Sequence, residues 1–289
     1  MRATSWVLAG TLAAMAAVTA CASGKAGTAP PGAVAAANDS VGRFVWQDLV
    51  TPDAAACQKF YGALLGWQFE ATTSNGRPYV LARSGGEFAG GIVQRDEMKT
   101  EPAAWLSYLS VPDLDRALGR VTSAGGKLLL PPTPVGAYGR VAVVLDPQGA
   151  PLGLAGVTGT LPAEPAEPPL GRFFWMEYLA KDGPAALAFY EELAGYESSV
   201  TDREHGLVYN VLRRQRSRAG LLQIPTEFEN VEPNWLPYVR VEDPAALARK
   251  ALSLGGQVVL EPRADVRGGS LAIVTDPTGG AIALQKFPL

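Results

Sequence analysis

The sequence contains one series of motifs twice, at a spacing of 129 or 130 residues. The run 42–53 (GRFVWQDLVTPD) matches 171–182 (GRFFWMEYLAKD), and Phe-Tyr follows the final Asp of each run by seven residues. Further pairs follow in the same order: Gly66-Trp67 with Gly195-Tyr196, Trp105 with Trp235, Tyr108 with Tyr238, and Asp146-Pro-Gln-Gly149 with Asp276-Pro-Thr-Gly279. A repeat of this length predicts two tandem copies of one domain. We place copy one at 42–157 and copy two at 171–289.

The first 41 residues do not belong to the repeat. After a positively charged start, Trp6–Val18 is almost wholly apolar, which suits a signal-peptide core and is short for a membrane span. Val18–Cys21 (VTAC) resembles a bacterial lipobox, so we interpret 1–21 as a lipoprotein signal with lipidation at Cys21. An ordinary signal peptide that happens to contain a cysteine is the alternative. The stretch 22–41 is rich in Ala, Gly, Ser and Pro and reads as a flexible tether.

These features predict a protein of the cell envelope, lipid-anchored to a membrane outside the cytoplasm. The formal net charge of −3 is mild, and no basic patch with interleaved aromatics is present, so nucleic acid is not an expected partner. If Cys21 is acylated, Cys57 is the one remaining cysteine and no disulfide can form within the chain. We expect Cys57 to be a packed, inert thiol rather than a reactive one. The sequence indicates no oligomeric state.

Each copy is predicted to contain two βαβββ modules. Alternating aromatic and β-branched residues indicate strands, Asp residues suit helix N-caps, and Gly residues suit helix ends and turns. In copy one we expect strands at 44–50, 67–71, 79–83, 90–94, 105–111, 127–130, 140–145 and 152–155, and helices at 53–65 and 113–124. The Pro-rich segment 158–170 reads as a linker between the copies.

This pattern resembles the vicinal oxygen chelate superfamily, which includes glyoxalase I, extradiol dioxygenases and bleomycin-resistance proteins. The resemblance rests on the order of Asp53, Phe60-Tyr61, Gly66-Trp67 and Asp146-Pro-Gln-Gly149, found again in copy two. It covers about 42–156 and 171–287. It implies an α+β fold of two tandem domains, each with two modules that form a curved mixed sheet around a cleft. We expect modules to pair within a copy, because the linker lies between copies.

Metal-dependent members of the superfamily carry His or Glu at inward strand positions. The resemblance places those positions at three pairs of residues, none of which can bind a metal: Trp46 and Trp175, Leu106 and Leu236, and Gly153 and Ala283. A shift of one residue in the first strand offers Gln47 and Met176, which are poor ligands for Zn, Fe or Mn. The chain holds one histidine, His205, in a polar turn. We therefore expect no metal and no other cofactor, and the sequence argues against a metal-dependent enzyme.

Strand alternation still directs aromatic and acidic side chains toward each cleft. In copy one these are Trp46, Asp48 and Tyr108, with Arg140 as a possible partner of Asp48. In copy two they are Trp175, Glu177 and Tyr238, with Ser270 in place of the arginine. Aromatic faces attract cations by about 0.5–2 kcal/mol, so such a set suits a planar or cationic organic ligand. The aromatics could instead fill a collapsed cleft as core.

Trp105 and Trp235 fall on the opposite strand face and are expected to pack against the helices. Three functional hypotheses remain at this point. The first is a metal-free, membrane-tethered protein that binds a small aromatic or cationic molecule. The second is a metal-dependent lyase or dioxygenase that uses Gln47, Asp48, Glu177 or a residue in another register. The third is an envelope scaffold whose clefts no longer bind anything.

Overall fold

The computed structural model describes residues 40–96, 101–158, 161–202, 208–225 and 231–288. The signal segment, Cys21 and most of the tether lie outside the described residues, as does His205. The last two residues assigned to the tether, Ser40 and Val41, are buried against copy one, so the packed domain begins slightly earlier than the repeat suggests. In the described part of the chain, no helix combines the length and apolar character needed to cross a membrane.

Copy one forms a single eight-stranded mixed sheet with two helices. The elements are β1 Phe44–Thr51, α1 Ala54–Leu65, β2 Gln68–Ser74, β3 Arg77–Ser84, β4 Glu87–Gln94, β5 Ala104–Ser110, α2 Leu114–Ser123, β6 Lys127–Pro134, β7 Gly139–Leu145 and β8 Pro151–Val157. The strand order is β2-β3-β4-β1-β5-β8-β7-β6, so the two modules join through β1 and β5.

Copy two repeats this architecture. Its elements are β9 Phe173–Ala180, α3 Gly183–Ala194, β10 Glu197–Asp202, β11 Tyr209–Arg214, β12 Arg216–Gln223, β13 Asn234–Arg240, α4 Pro244–Ser253, β14 Gln257–Leu260, β15 Leu271–Thr275 and β16 Ala281–Gln285. The strand order is β10-β11-β12-β9-β13-β16-β15-β14. Pairing within each copy, and the predicted α+β architecture, are therefore confirmed.

The predicted helix boundaries have the expected chemistry. The Asp53 carboxylate accepts a hydrogen bond from the Ala56 backbone N–H and caps α1, and Asp182 caps α3 in the same way. Both helices end at a glycine in the left-handed region, Gly66 at φ 74° and Gly195 at φ 66°. That conformation strains any residue with a Cβ, which explains the glycine at both positions.

The two copies pack through their helix-bearing faces and share two hydrophobic cores. One core combines the second module of copy one with the first module of copy two, including Leu109, Leu152, Tyr190 and Leu221. The other core combines the first module of copy one with the second module of copy two. Each core therefore takes side chains from both copies, and neither copy completes its hydrophobic core alone.

The repeated Phe-Tyr and Asp-Pro-x-Gly motifs meet across the boundary between copies. The Tyr61 hydroxyl donates to Asp276 at 2.9 Å, and the Tyr190 hydroxyl donates to Asp146 at 2.7 Å. Each tyrosine oxygen also accepts a hydrogen bond from a tryptophan N–H of its own copy. Trp105 donates to Tyr61 at 3.1 Å, and Trp235 donates to Tyr190 at 2.9 Å. The expectation that these tryptophans pack on the helix side is confirmed, and the shared motifs are among the contacts that join the copies.

Cys57 is fully buried beside this boundary, as expected of an inert thiol. Burial, together with the nearby charge of Asp276, raises the pKa of Cys57 to about 12. The thiolate is the reactive form of cysteine, so this environment keeps the side chain unreactive in the folded protein.

The linker is held against the sheet and does not hang free. The Glu164 carboxylate pairs with Arg43, Arg216 and Arg218, and Glu167 pairs with Arg240. These ion pairs run from the linker to the residue before β1 in copy one and to strands β12 and β13 of copy two.

Candidate ligand-binding clefts

Each sheet leaves the face opposite its helices open, and this face carries the candidate site. We define cleft 1 by Trp46, Asp48, Tyr79 and Tyr108, and cleft 2 by Trp175, Glu177, Tyr209, Tyr238 and Arg267. Both groups line a cavity of about 2790 Å³ that also follows the linker. Known small-molecule sites occupy roughly 300–1,000 Å³, so this cavity comprises more than one ligand-sized space.

The central strand pair positions the predicted residues of cleft 1. In the antiparallel pairing of β1 with β5, Trp46 lies opposite Tyr108, and Asp48 lies opposite Leu106. Alternate residues of a strand share a face, so Trp46 and Asp48 project together into the cleft. Asp48 is 8 % exposed and Tyr108 is 9 % exposed. The sequence-based placement of these three residues on one face is therefore confirmed.

A hydrogen-bonded aromatic wall surrounds the Asp48 carboxylate. The Trp46 indole N–H donates to Asp48 Oδ1 at 2.8 Å, and the Tyr79 hydroxyl donates to the same oxygen at 2.5 Å. The Trp46 indole N–H also donates to the Tyr79 hydroxyl at 2.9 Å. All these partners are neutral donors, so they stabilise the carboxylate without neutralising its charge.

Burial dominates the electrostatics of cleft 1. It raises the pKa of Asp48 above its ordinary value, and the hydrogen bonds from Tyr79 and Trp46 oppose that rise only in part. Burial and the neighbouring Asp48 charge also raise the pKa of Tyr79 and Tyr108, so both remain neutral hydroxyls at physiological pH.

Cleft 2 has the same wall and one additional cation. The Trp175 indole N–H donates to the Tyr209 hydroxyl at 3.1 Å. Arg267 donates to Glu177 at 2.8 Å and to the Tyr209 hydroxyl at 2.9 Å. The guanidinium carbon lies 5.0 Å from the centre of the Tyr209 ring and 5.5 Å from that of Tyr238, which is cation–π distance.

Arg267 is therefore held by charge and by aromatic faces together. Burial on its own lowers the pKa of an arginine, but the Glu177 carboxylate and the two tyrosines outweigh burial and raise the pKa of Arg267. Glu177 is 6 % exposed, so this is a largely buried ion pair.

The suggested pairing of Asp48 with Arg140 is wrong. Arg140 lies at the exposed start of β7, and its guanidinium donates to Asp115 of α2 at 2.8 Å. Strand alternation puts Arg140 on the face of Ala142 and Val144, which pack in the helix-side core, whereas Val141 and Val143 line the cleft. At the corresponding place in copy two, the Ser270 hydroxyl donates to the Arg267 carbonyl at 2.6 Å and supports the turn that carries the cation.

Sequence reasoning missed Tyr79, Tyr209 and Arg267. The two tyrosines are 130 residues apart, so the repeat contained the signal that identifies them. They also require small neighbours: a Cβ on Gly91 would lie 1.7 Å from the Tyr79 hydroxyl, and one on Gly220 would lie 1.9 Å from the Tyr209 hydroxyl. Arg267 lies in a turn, where no periodic pattern points to a face.

The residues at the superfamily's metal-ligand positions do not fit a metal. Trp46 and Leu106 offer no suitable donor, and a Cβ on Gly153 would lie 2.3 Å from the Tyr108 ring, which fills that space. Gln47, the alternative ligand, is buried away from the cleft and donates to Met176 Sδ of the other copy at 3.6 Å. Across the part of the chain that the structure describes, no three His, Cys, Asp or Glu side chains converge.

Comparison with known proteins gives the family. Residues 41–154 match the family model "Glyoxalase/Bleomycin resistance protein/Dioxygenase superfamily", and residues 175–284 match the "Glyoxalase-like domain". The chain is 32% identical over 249 residues to the "Putative glyoxylase CFP32" of Mycobacterium tuberculosis, covering 83% of this chain and 93% of that protein. It is 30% identical to the "Anthracycline biosynthesis protein DauV" of Streptomyces sp. strain C5, covering 85% of this chain and 94% of that protein. The chain belongs to this superfamily.

Solved structures support the fold. A Mn(II)-bound glyoxalase from Novosphingobium aromaticivorans is similar with a TM-score of 0.58 and 13% identity, covering 86% of this chain and 82% of that one. A variant of homoprotocatechuate 2,3-dioxygenase from Brevibacterium fuscum has a TM-score of 0.58 and 18% identity, covering 86% and 71%. At these identities the likeness concerns the tandem-domain architecture alone.

Proposed function

We propose that this chain is a metal-free binding protein for a small organic molecule, which it holds in cleft 1, and that a lipid on Cys21 tethers it to a membrane outside the cytoplasm. The observation that carries the binding function is the Asp48 carboxylate, buried in an aromatic wall and bonded only to neutral donors.

A buried carboxylate without a cationic partner is unfavourable for stability. Such a group does not stabilise a folded core. A cationic ligand that pairs with it would gain affinity, because the carboxylate has already lost its water on folding. The aromatic rings around it supply the apolar contact area that organic ligands need. The names of two relatives, one for anthracycline biosynthesis and one for glyoxylase activity, support a role with small organic molecules.

A metal-dependent glyoxalase or dioxygenase reaction is the second candidate, favoured by the relative named as a glyoxylase and by the structural neighbours. The residues of this chain argue against it. Trp46, Leu106 and Gly153 lack the oxygen, nitrogen or sulfur donors that these metals require. Copy two has the same deficiency at Trp175, Leu236 and Ala283.

A thermal-shift screen with aromatic and cationic compounds tests ligand binding. A ligand that binds the folded state at 100 times its Kd adds about 2.7 kcal/mol. For a protein of this size that corresponds to a melting-temperature rise of roughly 5–10 °C. Asp48→Asn should abolish or greatly weaken the shift, whereas Asp115→Asn, the same change at an exposed carboxylate, should leave it intact. No shift across a broad panel would favour the scaffold alternative.

The tether is tested separately by metabolic labelling with an alkyne fatty acid. The wild-type chain should acquire the label and fractionate with membranes, and Cys21→Ser should lose both properties. An unlabelled, secreted wild-type protein would instead indicate an ordinary signal peptide.

A further inference from the structure

The two copies provide an internal comparison, because one cleft contains a cation of the protein's own. Arg267 enters cleft 2, pairs with Glu177 at 2.8 Å and lies against the rings of Tyr209 and Tyr238. Its side chain is 23 % exposed, so most of it is enclosed by the cleft. Cleft 2 thus shows which kind of group this aromatic and acidic wall accommodates.

Cleft 1 has the corresponding wall without that cation. The repeat spacing of 130 residues pairs Arg267 with Ala137, and both lie in short 3₁₀ turns, 136–138 before β7 and 267–269 before β15. Ala137 is exposed, and its turn carries neither Lys nor Arg. Within the described ranges, no salt bridge involves Asp48.

Two cations near cleft 1 have other partners. Arg83 lies over the Phe88 ring at 3.9 Å and pairs with Glu70, and Arg140 pairs with Asp115. Neither of them pairs with the buried Asp48 carboxyl group.

We infer that cleft 1 binds an organic cation, a guanidinium or protonated amine on a short carbon chain, whose charged end takes the place that Arg267 takes in cleft 2. Cleft 2 is filled by its own arginine and binds no such ligand, so each chain binds one. This inference rests on the proposed function of cleft 1 as a ligand site and specifies the chemical class of the ligand.

The wall matches such a cation in three ways. Asp48 supplies the opposite charge, the Tyr79 and Tyr108 rings supply electron-rich faces, and the hydroxyls accept hydrogen bonds, as Tyr209 does from Arg267. The hydrogen bonds from Trp46 and Tyr79 hold the carboxylate in a fixed orientation before the ligand arrives. A fixed site loses little conformational freedom on binding, which favours affinity.

The test uses n-propylguanidinium, which reproduces the Arg267 side chain from Cβ outward, and n-propylurea, its uncharged isostere. The reporters are the indole N–H signals of Trp46 and Trp175 in ¹H–¹⁵N spectra of the full chain. The two signals are assigned by their loss in the Trp46→Phe and Trp175→Phe variants. We expect n-propylguanidinium to shift the Trp46 signal with an affinity at least about tenfold above that of n-propylurea, consistent with a charge-assisted contact. The Trp175 signal should not move.

Three variants sharpen the test. Asp48→Asn should reduce the n-propylguanidinium affinity to that of n-propylurea. Arg267→Ala should open cleft 2, so that the Trp175 signal responds to n-propylguanidinium and a second equivalent binds. Ala137→Arg should place a cation in cleft 1 and prevent binding there. Arg263→Ala, which removes an exposed arginine paired with Asp265, is the matched control and should change nothing.

The results separate this inference from the broader function. Equal shifts of Trp46 by both probes would refute the cation preference and leave cleft 1 standing as a site for neutral ligands. Equal responses of Trp46 and Trp175 in the wild-type chain would refute the asymmetry. If neither probe moves Trp46 and the broad panel gives no thermal shift, both the inference and the proposed function fail.

Discussion

The ion pair between Arg267 and Glu177 makes a quantitative prediction about stability. Arg267→Met keeps most of the apolar volume and removes the cation. Glu177, 6 % exposed, then keeps a buried charge with neutral neighbours only. Removing one partner of a buried pair costs about 3–5 kcal/mol, and the partial exposure of Arg267 puts the expected loss at the lower end, about 3 kcal/mol near pH 7.

Denaturant unfolding followed by tryptophan fluorescence measures these changes. Glu177→Gln combined with Arg267→Met should recover most of the lost stability, because an amide has no charge to compensate. Arg263→Met, which breaks an exposed pair, should cost less than about 0.5 kcal/mol. An Arg267→Met variant as stable as wild type would refute the stabilising role of the buried pair in cleft 2.

Three further predictions concern the other cleft and the contact between copies. Asp48→Asn should stabilise the protein near pH 7, because burial raises the pKa of the folded acid and makes its ionisation unfavourable in the fold. The gain should vanish as pH falls toward 3.8, and a destabilised variant in pH-dependent melts would contradict this. Tyr190→Phe should cost about 1–2 kcal/mol, because it loses the hydrogen bond to Asp146 of the other copy and the one from Trp235 of its own copy. Tyr138→Phe, at an exposed tyrosine, should be neutral, and equal costs on denaturant unfolding would argue against those contacts. Gly91→Ala should cost about 1–3 kcal/mol, because the added methyl group meets the Tyr79 hydroxyl and disturbs the cleft 1 wall. Gly119→Ala, on an open helix surface, should be neutral or stabilising. A wild-type melting temperature for both variants would mean that the wall has room to move.

The sequence predicts the secondary structure and the pairing of modules because both depend on local periodicity and on the repeat. It also places Trp46, Asp48 and Tyr108 on one face, since β-strands alternate strictly. The same repeat could have identified Tyr79 and Tyr209, whose 130-residue spacing marks them as equivalent.

The remaining features depend on tertiary packing. Arg140 shares the helix-side face of β7 with Ala142 and Val144, and its side chain pairs with Asp115 on the neighbouring helix. Arg267 enters cleft 2 from a turn, where no period governs direction. The role of Tyr61 and Tyr190 in joining the copies follows from how two whole domains pack, and no spacing within one copy contains that information.

Cleft 1 is proposed to bind its ligand without a metal ion. The most direct measurement is the Mn, Fe, Ni and Zn content of protein purified natively from cells supplied with all four metals. We expect far less than one metal ion per chain, with ligand binding in cleft 1 unaffected by chelators. One tightly held transition metal per chain, released by Asp48→Asn or Glu177→Gln, would contradict it.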